Sequence, residues 1–137
     1  MLLMENVPEV IGSKNIKSFS EWLHKLESLE YKCYYKCLNA KNYGIPQNRN
    51  RCFMVSILGD YDYDFPQEVP LAKKLSDLLE KKVDEKYFLS EKGIIGMQNT
   101  TYHSSTLEAR TERDGIMPTL CARDYKGGKL VVEPIEQ

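Results

Sequence analysis

Two runs between Tyr31 and Leu58 constrain this chain more than any other feature. Tyr31-Lys32-Cys33-Tyr34-Tyr35-Lys36-Cys37-Leu38 is dense in aromatic residues, and Cys33 and Tyr35 alternate with Tyr34 and Lys36. That is the pattern of a pleated, half-buried strand. Cys52-Phe53-Met54-Val55-Ser56-Ile57-Leu58 is a second apolar run of strand length, and a polar turn holding Asn39, Asn42, Gly44 and Pro46 separates the two. The expected unit is a strand pair folded back on itself.

Upstream, Leu2-Leu3-Met4 reads as a short buried strand whose carboxyl end opens into a loop at Glu5-Asn6-Val7-Pro8. Chemistry in open α/β sheets sits beyond the carboxyl ends of strands, which gives Glu5 a suggestive place. Ser18-Phe19-Ser20-Glu21 fits a capping box, and Phe19, Trp22, Leu23, Leu26 and Leu29 follow at helical spacing. The spacing predicts a helix over about 19–30, with Phe19, Trp22 and the leucines in the core and His24 on the wet side. Strand, helix and strand pair together indicate an α/β sheet with an antiparallel end. Leu71, Leu75, Leu78, Leu79 and Val83 predict one more amphipathic helix. Beyond residue 84 the chain breaks into short runs, so two regions are expected, 1–83 and 84–137.

Composition excludes several classes. A chain of 137 residues with 42% hydrophobic residues can bury a real core. No apolar run approaches the about 18 residues that a membrane span needs, and Met1-Leu2-Leu3-Met4 is too short for a signal-peptide core, so an intracellular, cytoplasmic protein is expected. Cys33, Cys37, Cys52 and Cys121 lack the paired spacing of a zinc site, His24 and His103 lie far from them, and reduced thiols are expected. Neither a metal nor a membrane partner is indicated.

Residues 31–58 carry Lys32, Lys36, Lys41, Arg49 and Arg51 and no acid, in a chain whose net charge is -1. Two readings account for this window: a surface that faces phosphates, or lysines that keep a sheet edge soluble. The loop Gly44-Ile45-Pro46-Gln47-Asn48-Arg49-Asn50-Arg51 favours the first. If it runs into an extended strand, Arg49 and Arg51 project to one side, where two guanidinium forks can hold a phosphate and a carbonyl oxygen together.

These residues also carry a family resemblance. Glu5-Asn6-Val7 resembles the Glu-Asn-Val motif of the C5-cytosine DNA methyltransferases. Leu38-Asn39-Ala40 through Tyr43-Gly44-Ile45-Pro46-Gln47-Asn48-Arg49-Asn50-Arg51 closely resembles that family's Gln-x-Arg-x-Arg segment, at a separation of about forty residues that also fits. Pro118-Thr119-Leu120 with Ala122-Arg123-Asp124-Tyr125-Lys126-Gly127-Gly128 is similar to the core of the family's target-recognition region. The fold implied is a partial Rossmann-like methyltransferase sheet, a parallel strand plus an antiparallel strand pair with helices, followed by an irregular target-recognition region.

The resemblance implies a role for each motif. In the family a cysteine thiolate attacks C6 of a cytosine flipped out of the duplex, and C5 then takes a methyl group from S-adenosylmethionine. Glu5 would hydrogen-bond N3 and the exocyclic amine, as a carboxyl kept protonated by burial beside the base. Arg51 would grip O2 and a flanking phosphate, and Arg49 would support the same pocket. Gln47, Thr119, Leu120, Arg123, Lys126, Gly127 and Gly128 would face the DNA.

Two parts of the family pattern are missing. No cysteine follows a proline, and no glycine-rich turn follows the first strand. The chain also stops before the family's closing motifs. The expectation is therefore a methyltransferase fragment that binds no S-adenosylmethionine and is inactive alone. It would be a truncated product, or one piece of a split enzyme whose second polypeptide supplies the nucleophile and cofactor loop. The alternative is a non-catalytic remnant that binds double-stranded DNA. A first strand with one side unpaired would also favour self-association.

Overall fold

The computed structural model describes residues 1–88, 90–92 and 115–119. These residues divide into two compact units. The first takes Met1–Ile45 with Arg49–Pro70, and the second takes Pro46–Asn48 with the described residues from Leu71 onward.

The first unit is built on three strands and one helix: β1 (Leu2–Asn6), α1 (Ile16–Glu27), β2 (Tyr31–Asn39) and β4 (Asn50–Leu58). The sheet order is β1-β4-β2, and β4 runs antiparallel to both neighbours. β1 and β2 are therefore parallel to each other, with β4 inserted between them. The strand pair is as the sequence predicts. Its register joins Tyr31 to Leu58 and Asn39 to Asn50.

α1 covers one face of this sheet. Phe19, Leu26 and Met54 form the buried core, with Met4, Val10, Ile11, Leu23, Tyr31 and Cys33 packed around them. Phe19 meets the Tyr35 ring edge-on at 5.1 Å. Cys52, Met54 and Ser56 alternate along β4 and are fully buried, which follows from a two-residue repeat in a central strand.

Four expectations are corrected here. β1 is an exposed edge strand rather than a buried one, because among the described residues a single neighbour pairs with it and Leu3 is 69% exposed. α1 starts at Ile16, not Phe19, so the hydroxyls of the expected capping box lie inside the helix. The turn Pro8–Ile11 leads into it: the Gly12 carbonyl accepts from the Asn15 and Ile16 amides, and the Asn15 side chain donates to Glu9 O at 2.8 Å. The helix ends before Leu29, which is half exposed, and Trp22 is 39% exposed instead of buried. His24 is exposed as expected, its Nδ1 2.7 Å from the Ser20 carbonyl.

After β4, Asp60–Phe65 folds back onto the other face of β2. Tyr34 donates to the Tyr61 carbonyl at 3.0 Å, and its ring lies 6.0 Å from that of Tyr63. Among the described residues, no helix is long and apolar enough to cross a membrane.

The second unit pairs β3 (Gln47–Asn48) in parallel with β5 (Met117–Pro118). The predicted amphipathic helix over residues 71–83 is not there; only Leu75–Leu78 makes a single 3-10 turn. Leu78 is 55% exposed and Leu71, Leu75 and Leu79 are only half-buried, and a short helix with so little packing is marginal in water. Gly115 stands at φ +65, and a Cβ there would come within 2.8 Å of the Lys74 side chain. Only glycine suits both the dihedral and the space.

Phe19→Ala removes the largest side chain of the core. It is expected to destabilise the first unit by about 3–5 kcal/mol, read as a lower urea midpoint with an unchanged slope.

Candidate functional site

The site is built where β1 ends beside the start of β4. Glu5 and Phe53 are partners in the register, so Arg51 lies diagonally across from Glu5 on the same face of the sheet. The Arg51 Nε donates to Glu5 Oε1 at 2.9 Å, with the carboxylate side chain 48% exposed and the guanidinium 20% exposed. Arg51 Nη1 also donates to the Asn50 carbonyl at 2.8 Å, which uses a second of its five N–H groups. The acid and the fork that the sequence predicts to meet do meet. The Glu5 carboxylate is about half exposed here, on the face of β1 opposite the one that α1 covers.

The loop that delivers Arg49 and Arg51 is organised by one side chain. Asn39, at the end of β2, accepts with Oδ1 from the Lys41 amide at 3.3 Å and from the Arg49 amide at 3.1 Å. The Ala40 amide then donates to the Arg49 carbonyl at 3.0 Å, which extends the β2–β4 ladder past the strand ends. A short polar side chain that copies a backbone acceptor is the ordinary way to close such a turn. Gly44 stands at φ +79 within it, a conformation that a side chain disfavours. In the sequence Asn39 stands out as a turn residue and as part of the stretch that resembles the Gln-x-Arg-x-Arg segment. Its position just after the β-run was the available signal for more.

The basic window changes meaning in the structure. Lys32 donates to Asp62 at 2.7 Å and to Asp60 at 3.2 Å, both acids lying just outside the window that was counted. The Lys32 contact is the main reason the Asp62 carboxyl is held below its usual range, and Tyr34 adds to it. With Lys32 and Arg51 both matched to acids, the window is not a uniformly free cationic surface. For Lys32 the solubility reading fits better.

Of the residues expected to face DNA, Gln47 lies in β3 opposite Met117. Thr119 follows β5, its hydroxyl donating to the Asn48 carbonyl at 2.7 Å. Leu120, Arg123, Lys126, Gly127 and Gly128 lie outside the described residues. Against α1, a cavity of about 580 Å³ is lined by Met4, Asn6, Val7, Val10, Asn15, Ser18, Phe19 and Trp22. Its polar groups are amides and a hydroxyl, and no carboxylate is among them. Groups of three or more metal-ligating side chains are absent among the described residues.

A family model described as C-5 cytosine-specific DNA methylase matches residues 1–132. The type II methyltransferase M2.ScrFI of Lactococcus lactis subsp. cremoris is 46% identical over 89 residues, covering 64% of this chain and 25% of that protein. The type II methyltransferase M.NlaX of Neisseria lactamica is 40% identical over 147 residues, covering 98% of this chain and 45% of that protein. The chain thus spans less than half the length of these relatives. Among solved structures, the Entamoeba histolytica methyltransferase EhMeth is similar with a TM-score of 0.55 at 23% identity, over 69% of this chain and 29% of that one. The S. pombe Dnmt2 methyltransferase gives 0.53 at 22%, over 69% and 32%. These likenesses place the partial α/β sheet with its inserted antiparallel strand among methyltransferase folds.

Asn39→Ala removes the acceptor shared by the Lys41 and Arg49 amides. Losing about 1 kcal/mol of hydrogen bonding there is expected to speed hydrogen exchange at the Arg49 amide by roughly five- to ten-fold, measured by NMR, with the core amides of β4 unchanged.

Proposed function

Because this chain belongs to the C-5 cytosine-specific DNA methylase family, we propose that it carries the base-holding half of a cytosine methyltransferase site. The observation that supports this most is the 2.9 Å contact between Arg51 and Glu5 at the open end of the sheet. Nucleophilic attack at C6 of cytosine drives negative charge onto N3 and O2. Glu5, once protonated against the base, donates to N3 and accepts from the exocyclic amine. Arg51 keeps N–H groups beyond the two it uses here, and these serve O2 or a neighbouring phosphate. Arg49 backs the same corner through the Asn39 turn. Gln47 and Thr119, with Leu120, Arg123, Lys126, Gly127 and Gly128, form the DNA-facing part, and double-stranded DNA is the substrate.

S-adenosylmethionine supplies the methyl group in this family, but the described residues do not fit it. The cavity beside α1 offers no carboxylate for ribose hydroxyls or for an ammonium group, and no glycine turn lets a backbone approach closely. The chain also holds no Pro-Cys pair to supply the nucleophile. The reading is therefore of a part whose methyl transfer draws its glycine turn and Pro-Cys nucleophile from outside these 137 residues, working as a cytoplasmic protein.

Incubated alone with labelled S-adenosylmethionine and duplex DNA, the chain is expected to transfer no methyl. Mixed with a polypeptide that carries the glycine turn and the Pro-Cys segment, it is expected to gain transfer, and Glu5→Gln should cut that rate by about 10²–10³-fold. Transfer by the chain alone, or an unaffected Glu5→Gln variant, contradicts the assignment. Salt-sensitive DNA binding without any restored transfer would favour the non-catalytic remnant.

The unpaired side of β1 supports a second proposal about partners. Among the described residues β1 pairs on one side alone, and such an edge, with Leu2 and Leu3 exposed, is a template for another strand. In the absence of a complementary polypeptide, the chain is expected to sediment as a dimer at high concentration, and Leu3→Lys should return it to monomer.

A further inference from the structure

Three cysteines lie on β2 and β4, all on the face that packs against α1. Register sets Cys37 directly opposite Cys52, whereas Cys33 stands opposite Ser56 and its thiol donates to the Ser56 hydroxyl at 3.2 Å. The ladder bonds identify the kind of pair. The Ala40 amide bonds to Arg49 O and the Gly59 amide to Glu30 O, so alternate pairs, Cys37 with Cys52 among them, are the non-hydrogen-bonded ones. Such pairs bring Cα atoms to about 4.5 Å, inside the window of roughly 4.4–6.8 Å that a disulfide spans. The two side chains are also close enough to interact directly.

We propose that Cys37 and Cys52 form a redox couple: free thiols at rest, they close into a reversible cross-strand disulfide when the chain meets a peroxide. The two thiols differ in a way that orders the steps. Cys37 is partly exposed, and Cys52 is fully buried. Burial, with the adjacent Cys37 thiol adding to it, pushes the Cys52 thiol up to about 11. Cys37 is therefore the side that an oxidant reaches. Its thiolate attacks one oxygen of hydrogen peroxide, the O–O bond breaks, and hydroxide leaves Cys37 as a sulfenic acid. The Cys52 sulfur then displaces that oxygen as water, its proton going to the leaving group. Two thiols and one peroxide become one disulfide and two waters, the sulfurs oxidised and the peroxide reduced. A thiol reductant reverses the bond by exchange.

The bridge would fasten both ends of the segment that carries Asn39, Gly44 and Arg49, and Arg51 is the residue next to Cys52. Oxidation thus acts on the loop from beneath, without touching Glu5 or Arg51. The inference rests on strand register alone and stands whether or not the methyltransferase reading does.

The test uses the whole 137-residue chain, treated with hydrogen peroxide at neutral pH and then alkylated. Trypsin separates Cys33, Cys37 and Cys52 onto three peptides, because Lys32, Lys36 and Arg51 precede them. The expected product is a protein lighter by two hydrogens, with the Cys37 peptide joined to the Cys52 peptide and released by dithiothreitol. Cys33→Ser should still form the link, while Cys37→Ser and Cys52→Ala should not. If Cys52→Ala does not fold, the wild-type peptide map decides. The oxidised chain should melt higher by on the order of 10 °C, since the bridge closes a short loop. Cys37 oxidised further with Cys52 still reduced, a link to Cys33 or Cys121, or a melting point that stays or falls each overturns the proposal.

Discussion

The insertion of β4 between two parallel neighbours is the constraint on which the first unit depends. A strand with partners on both sides has to be apolar on the face a helix covers, and Cys52, Met54 and Ser56 meet that demand by being small or flexible enough to vanish under α1. Because β4 runs against β1, its first residues lie beside the last residues of β1. Arg51 and Glu5, far apart in sequence, become neighbours for that reason alone. The ion pair is a result of topology before it is a piece of chemistry.

Much of this was legible in the sequence where local pattern and tertiary demand agree. The alternation of Cys33 and Tyr35 with Tyr34 and Lys36 gave β2, and the apolar run from Cys52 gave β4 to within two residues. The Glu-Asn-Val and Gln-x-Arg-x-Arg motifs predicted that Glu5 and Arg51 would meet. The failures share a cause. Leu2-Leu3-Met4 is as apolar as a central strand, yet burial depends on how many neighbours a strand has, and sequence does not state that number. The leucines between 71 and 83 have helical spacing, but an amphipathic face that is at most half-buried has too little packing to hold a helix. The capping pattern at Ser18 was a local coincidence, overridden by the Pro8–Ile11 turn that sets the entry of α1 earlier.

Electrostatics was the least legible property. Counting charges over residues 31–58 marked a cationic stretch, while the partners of Lys32 sit two and four residues beyond its end, at Asp60 and Asp62. A linear window cannot see acids that a turn folds back onto the same strand. The contrast with Arg51 is instructive. Lys32 is held among exposed carboxylates, a setting in which ion pairs contribute little to stability. Arg51 is more enclosed, and its planar fork is oriented by its contacts to Glu5 and to the Asn50 carbonyl.

The pairing of Leu2 with Ser56 has a kinetic meaning as well. β1 cannot gain this partner until nearly the last residue of β4 has been synthesised. Until then Leu2–Asn6 and the aromatic ribbon of β2 both await the same central strand. Contacts so distant along the chain make for slow folding, and they leave nascent β1 without β4 for as long as translation takes to pass Leu58.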